Sequence, residues 1–69
     1  MDIRSNVGKR IKEIRENAKM SQKDLAYSAD LDRSYIASVE SGQRNISILN
    51  LEKIATSLGV TLSELFKGI

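Results

Sequence analysis

The chain has 69 residues, of which 41% are hydrophobic and 29% are charged, and its net charge at pH 7 is +2. These values are typical of one small globular domain and argue against a disordered chain. Cysteine and histidine are absent, which excludes disulfides, thiolate nucleophiles and histidine bases and removes the preferred ligands of zinc. We therefore expect no enzyme, no metal and no cofactor.

The chain also lacks the features of membrane and secreted proteins. No apolar run approaches the roughly 20 residues that a membrane helix requires. The first five residues, Met1 to Ser5, do not have the basic-then-apolar pattern of a signal peptide. We therefore expect a cytoplasmic protein with no membrane partner.

The apolar pattern at the amino terminus predicts a first helix. Apolar residues recur there at steps of three and four, the spacing of one helix face, at Ile3, Val7, Ile11, Ile14 and Ala18. Gly8 interrupts this segment, either because a neighbouring helix approaches closely or as a tolerated surface glycine.

A second, short helix is predicted to begin after Ser21, because Ser21 and Asp24 have the spacing of a capping box. The helix must end near Asp30, since Asp32 is positioned to cap the next helix with its carboxylate. Aspartate tolerates left-handed backbone better than most residues, so Asp30 suits the turn.

Three more helices follow. The third begins at Arg33 and ends at Ser41, with Gly42 as a left-handed terminator. Ser47 caps the fourth, which Gly59 terminates, and Thr61 begins the fifth with a second capping-box pattern. The sequence therefore predicts an all-α, compact five-helix fold, organised as one domain over residues 1–69.

The second and third predicted helices form a helix-turn-helix, in which the second helix of the motif enters the DNA major groove. Ala26 supplies the small residue where the two helices cross, and Leu31 fixes the turn. Ile36 and Val39 face the core. The alternative is an ordinary helical hairpin with no role in DNA binding.

The outer face of the third helix is suited to reading bases. Arg33 in its first turn can form a bidentate contact with guanine, whereas the alternative is a solvated pair with Asp32. Ser34 and Ser38 have small hydroxyl side chains that bind bases or phosphates. We predict base contacts at Arg33, Ser34 and Ser38.

Contacts with the DNA backbone are predicted on both sides of this helix. The start of the second helix presents Gln22 and free backbone N–H groups to phosphate. Arg44 and Asn45 occupy the corresponding place before the fourth helix. Together with neighbouring polar positions, the predicted backbone or groove contacts are Gln22, Tyr35, Ser41, Gln43, Arg44 and Asn45.

The segment from Ser21 to Glu40 resembles the helix-turn-helix of the phage repressor and Cro family, so the expected fold is repressor-like. The residues Leu31-Asp32-Arg33-Ser34-Tyr35-Ile36, followed by Arg44-Asn45-Ile46-Ser47, are most similar to controller proteins of restriction-modification systems. Asp30 departs from the family, which usually has glycine at this place in the turn.

The resemblance implies roles for three further residues. It favours a DNA contact for Tyr35, whose alternative is packing in the core. It also implies a structural ion pair between Arg10 and Glu40, which takes no part in DNA contact. This pair would join the first helix to the third helix, which we call the reading helix.

Related proteins bind two half-sites as symmetric dimers, and the carboxyl-terminal region has more apolar residues than so small a body needs. We predict a homodimer interface there, formed by Leu49, Val60, Leu65 and Phe66. The alternative for Leu65 and Phe66 is closure of the monomer core.

The predicted function is a transcriptional regulator that binds palindromic operator DNA. The resemblance implies a controller that regulates its own gene and the endonuclease gene, with double-stranded DNA and RNA polymerase as partners. The alternatives are a phage-type repressor or an antitoxin of the same fold, or an interaction module that does not bind DNA.

Overall fold

The protein is described by a computed structural model that covers residues 2–69. Over this range it contains five helices and no strand, namely α1 (Ile3–Asn17), α2 (Gln22–Ala29), α3 (Arg33–Glu40), α4 (Ile48–Leu58) and α5 (Leu62–Leu65). The predicted all-α architecture is confirmed. None of these helices is both long and apolar enough to cross a membrane.

Two helices begin with complete capping boxes. The hydroxyls of Ser21 and Thr61 accept the backbone N–H of Asp24 and Glu64, and each carboxylate accepts the N–H of its capping residue. These hydrogen bonds hold the pKa of Asp24 and of Glu64 below the usual range, because they favour the charged form. Both helix starts are therefore defined by local sequence.

The cap of α3 differs from the prediction. Asp32 has the extended backbone of a capping residue, but its carboxylate makes no hydrogen bond to the helix. The expected side-chain cap is therefore wrong, although the helix begins at the predicted residue, Arg33.

The turn between α2 and α3 depends on one left-handed residue. Asp30 has φ 57° and ψ 47°, as the sequence predicted, and the next N–H, that of Leu31, donates to the carbonyl of Ala26 at 2.9 Å. This bond satisfies a carbonyl at the end of α2. The two helices of the motif are thus joined by a tight turn whose Asp30 and Leu31 N–H groups are hydrogen-bonded to the end of α2.

The core lies where the five helices meet. Its completely buried large side chains come one from each helix: Ile11, Leu25, Ile36, Ile54 and Leu65. Leu65 is 0% exposed, so its predicted place in a dimer interface is wrong. A four-residue helix has only one face to offer the body, and Leu65 is the residue that fills the core from α5.

Gly8 marks the closest approach of α1 to α3. A Cβ atom at this position would lie 2.7 Å from the carbonyl oxygen of Glu40 and closer still to that of Val39. Of the two explanations that the sequence left open, the structure supports the close approach of a neighbouring helix. Gly8 therefore sets the distance between α1 and the end of the reading helix.

Candidate nucleic-acid interface

The third helix presents opposite chemistries on its two faces. Ile36 and Val39 are buried, whereas Arg33 and Ser34 lie exposed in its first turn. This is the arrangement that a reading helix requires, because the apolar face fixes the helix and the polar face remains available to a groove. Arg33 and Ser34 therefore stand where the sequence predicted base contacts.

Ser38 is engaged within the protein. Its hydroxyl donates to the carbonyl of Tyr35 at 2.8 Å and accepts from Nε of Arg44 at 3.0 Å. A serine hydroxyl has one hydrogen to donate, and here that hydrogen is used. The structure therefore gives Ser38 a role in holding Arg44, beside the base contact that the sequence predicted.

Arg44 and Tyr35 form the second part of the same cluster. The Arg44 guanidinium carbon lies 4.8 Å from the centroid of the Tyr35 ring, within the range of a cation–π interaction. Because the Nε group bonds Ser38, the two terminal nitrogens of Arg44 are left to bind a phosphate. We call Tyr35, Ser38, Arg44 and Asn50 the tyrosine cluster.

Asn50 is the member of this cluster that the sequence analysis missed. Its Nδ2 group donates to the Tyr35 hydroxyl at 3.0 Å, which links the start of α4 to the first turn of α3. One signal was present in the sequence: Asn50 stands three residues after the capping Ser47, where the capping boxes of α2 and α5 have an acidic residue.

Gln22 lies on the other side of α3, half-buried at the start of α2. Its Nε2 group donates to Oε1 of Glu40 at 3.1 Å. The side chain is therefore fixed by the reading helix, with part of its amide left for a further partner. Gln22 is held beside the free N–H groups of the helix end, where a phosphate contact was predicted.

Glu40 is bound by Arg15 rather than by the predicted Arg10. Arg15 Nε and Nη2 donate to the two carboxylate oxygens of Glu40 at 2.7 and 3.0 Å, and the two residues are only 7% and 8% exposed. These hydrogen bonds raise the pKa of the Arg15 guanidinium above its usual value, despite its burial. A third bond, from Nη1 to the carbonyl of Met20, extends the network to the loop before α2.

Arg10 instead faces α5. Its guanidinium pairs with Glu13 and donates to the carbonyls of Glu64 and Leu65. The predicted pair of Arg10 with Glu40 is therefore wrong, and the reason is helical phase. Arg15 follows the buried Ile11 by four residues and Gly8 by seven, so these residues share the face towards α3.

The remaining predicted backbone contacts are exposed at the end of α3 and in the loop after it. Ser41, Gln43 and Asn45 are all exposed, and the Ser41 hydroxyl donates to the carbonyl of Ser38. The described residues, 2–69, contain no cluster of side chains suited to hold a metal ion. The loop after α3 thus presents neutral and basic side chains, whereas Asp30 and Asp32 are exposed at the opposite end, before α3.

Comparison with known proteins decides the family. The model of the helix-turn-helix family matches residues 11–65. The chain belongs to this family. Its helix-turn-helix is formed by α2 and α3, as predicted, and the matched range includes the Arg15–Glu40 pair and the tyrosine cluster.

Controller proteins are among its relatives. The chain is 49% identical over 69 residues to the control protein C.MunI of a Mycoplasma species, an alignment that covers 99% of this chain and 93% of C.MunI. It is also similar to the crystal structure of the restriction-modification controller protein C.AhdI from Aeromonas hydrophila, with 42% identity and a TM-score of 0.92 over 96% of this chain and 100% of that one.

A further solved relative was crystallised with DNA. The restriction-modification controller protein C.Esp1396I, as a tetramer in complex with its natural 35 base-pair operator, matches with a TM-score of 0.89 and 41% identity over 96% of this chain and 87% of its own. The predicted resemblance to controller proteins is confirmed. Such proteins are transcriptional regulators and not enzymes.

Proposed function

We propose that this protein is a restriction-modification controller that binds palindromic operator DNA as a homodimer and regulates transcription. The observation that carries the proposal is the exposed polar face of α3, flanked on both sides by polar side chains that contacts within the protein hold in place. Arg33 and Ser34 lie on that face, Gln22 is held on one side by Glu40, and Arg44 on the other by Ser38. The likeness to C.Esp1396I, whose structure contains its operator, supports the same reading.

Selection from a random duplex pool at two salt concentrations tests DNA binding directly. A sequence reader enriches a palindrome, and its affinity falls steeply as salt rises because phosphate contacts release counterions. Failure to enrich any duplex, with binding that does not respond to salt, would favour an interaction module without a DNA function.

Arg33→Ala, with Arg33→Lys as its matched control, tests the base reader. We expect Arg33→Ala to lose about 1–3 kcal/mol of discrimination and Arg33→Lys to lose less, because lysine can still donate to guanine but lacks the planar fork of arginine. The lysine variant keeps the positive charge, so its non-specific binding should match the wild type. Undiminished specificity in both variants would show that another residue reads the base.

The dimer interface is proposed on the apolar surface that the monomer leaves open. Ile48 and Leu49 at the start of α4 are 77% and 62% exposed, and Val60 and Phe66 are half-buried. The interface therefore comprises Leu49, Val60 and Phe66 with Ile48, and it excludes the buried Leu65.

Light scattering with Leu49→Glu tests this interface. A charge at a buried apolar contact is costly, so we expect a dimer for the wild type and a monomer for the variant at micromolar concentration. Tyr27→Glu is the control, since Tyr27 is 90% exposed on α2 and should leave the dimer intact. A monomeric wild type, free and on DNA, would overturn the proposal.

Residues 1–69 act as one domain with its dimerisation region at the carboxyl end, in the cytoplasm, with RNA polymerase as a partner on the promoter. The controlled genes are its own and that of the endonuclease. An endonuclease or methyltransferase gene beside this one would support this role, whereas phage or toxin genes there would favour the alternative repressors.

A further inference from the structure

The start of α4 lacks the hydrogen bond that completes the starts of α2 and α5. In those helices the third residue is acidic and reaches back to the N–H of the capping residue. In α4 the third residue is Asn50, whose own N–H is bonded by the Ser47 hydroxyl. Its side chain turns away from the cap and bonds Tyr35, so this position gives up a local stabilising contact.

In the bond between Asn50 and Tyr35, the amide is the donor. The Asn50 Nδ2 group donates, and the Tyr35 hydroxyl oxygen accepts at 3.0 Å. A phenol has one hydrogen of its own, and Asn50 as a donor does not use it. The Tyr35 hydroxyl hydrogen therefore remains to be donated to a different acceptor.

Arg44 restricts the ring from a second direction. Its guanidinium lies over the Tyr35 ring and is itself anchored by Ser38. The ring is thus placed by Arg44 and the hydroxyl by Asn50, at the edge of the exposed face of α3. An acceptor that approaches this face, as the oxygen or nitrogen atoms of DNA would, meets a donor whose position is already set.

We infer that Asn50 is a positioning residue that keeps the Tyr35 hydroxyl as a hydrogen-bond donor to DNA. This inference rests on the proposed function, and it identifies a residue that sets the affinity of the protein for DNA. The acceptor is an oxygen or nitrogen atom of DNA, either a phosphate oxygen or an acceptor on a base edge in the major groove.

Asn50→Asp tests the inference because it removes the hydrogen bond that the Asn50 amide donates to the Tyr35 hydroxyl. Aspartate cannot donate to Tyr35: it either accepts the hydroxyl hydrogen or completes the capping box of α4. On the palindrome selected from the random pool, we expect Tyr35→Phe to weaken binding about tenfold, and Asn50→Asp to weaken it at least as much. In the Tyr35→Phe background, Asn50→Asp should add only the effect of its charge.

Two controls separate the charge and the fold from this effect. Asn6→Asp adds the same charge on α1, beside Lys67 and Gly68, and measures the general repulsion. Asn50→Leu removes the donor without a charge and should weaken binding by no more than Tyr35→Phe, because the Tyr35 hydroxyl keeps its hydrogen and loses only its fixed position. The melting temperature of Asn50→Asp should not fall, and a completed capping box would raise it by about 2–4 °C.

The two sources of the acceptor give different results with Tyr35→Phe. An equal loss on the selected palindrome and on random duplexes indicates phosphate, whereas a loss confined to the palindrome indicates a base edge. Either result supports the inference when the Asn50 variants lose affinity on the same duplexes as Tyr35→Phe.

Three results would overturn this role of Asn50. The first is wild-type affinity for Asn50→Asp, and the second is a full additional loss in the Tyr35→Phe background. The third is weaker binding that is explained by a lower melting temperature. If the wild type enriches no duplex, the proposed function fails and the role of Asn50 fails with it. If the wild type enriches a palindrome but one of the three results is found, only the role of Asn50 fails.

Discussion

The two sides of the reading helix are held by different kinds of interaction. Towards α1, α3 is held by two buried contacts, which are the Arg15–Glu40 ion pair and the close backbone approach at Gly8. Towards α4, the tyrosine cluster joins exposed or half-buried side chains through single hydrogen bonds and one cation–π contact.

This difference suggests a division between stability and recognition. Breaking a buried charge pair leaves an unpaired charge without water, which costs far more than losing an exposed contact. The α1 side therefore fixes where α3 lies, whereas the α4 side holds donors at the surface and contributes little to stability. Variants on the two sides should affect different measurements.

Glu40→Ala should have the largest effect, on stability. It leaves the buried Arg15 unpaired and frees the Gln22 amide, so we expect the free energy of unfolding to fall by about 3–5 kcal/mol in urea denaturation. Glu13→Ala removes the exposed partner of Arg10 and should change stability by less than about 0.5 kcal/mol. Equal effects of the two variants would show that burial does not raise the cost of breaking the Arg15–Glu40 pair.

Gly8→Ala should have the next largest effect. The added methyl group meets the carbonyls of Val39 and Glu40, so α1 and α3 must separate, at about 1–3 kcal/mol of stability. Lys12→Ala, at an exposed position of the same helix, is the control and should be close to neutral in thermal denaturation. A stabilised Gly8→Ala variant would show that the contact is not tight.

Arg44→Ala should leave stability within about 0.5 kcal/mol of the wild type. Its effect should appear in DNA binding, weakened about equally for all sequences, with a salt slope reduced by about one. Arg44→Lys keeps the charge but loses the Ser38 bond and the planar contact with Tyr35, so its affinity should be intermediate. A large loss of stability would place Arg44 with the buried side.

The smallest effect concerns exposed carboxylates under acid conditions. The folded state holds the pKa of Asp24 and of Glu64 below the usual range, so it binds fewer protons than the unfolded state. Their contribution is therefore present at neutral pH and is lost as pH falls below about 4. The melting temperature of Asp24→Asn/Glu64→Gln should start lower at pH 6 and approach the wild type near pH 3. If the melting temperatures of the variant and the wild type changed in parallel with pH, these two carboxylates would not be the source of the acid sensitivity.

Local sequence signals predicted the fold well. The capping boxes at Ser21 and Thr61, the left-handed Asp30 and the terminating Gly59 are all as expected. Each of these features depends on residues a few positions apart, whose chemistry favours one backbone conformation before tertiary contacts form. The helix-turn-helix followed from the same signals.

Contacts between distant residues were predicted less well. Arg10 and Arg15 are both arginines of α1, and the choice between them depended on the rotation of α1 against α3. The assignment of Leu65 to the core rather than to an interface depended on how α5 closes the body. Asn50 was missed because its partner, Tyr35, lies 15 residues earlier in the sequence.

The sequence by itself therefore determined the helices, the side-chain caps of α2, α4 and α5, the helix-turn-helix and the exposed positions of Arg33 and Ser34. Only the tertiary structure decided that Arg15 pairs with Glu40, that Glu40 holds Gln22, and that Asn50 and Arg44 place Tyr35. The physical reason is the range of the interactions. Caps and turns are fixed within one helical turn, whereas a buried ion pair or a directed hydrogen bond between helices exists only once packing has set their distance and rotation.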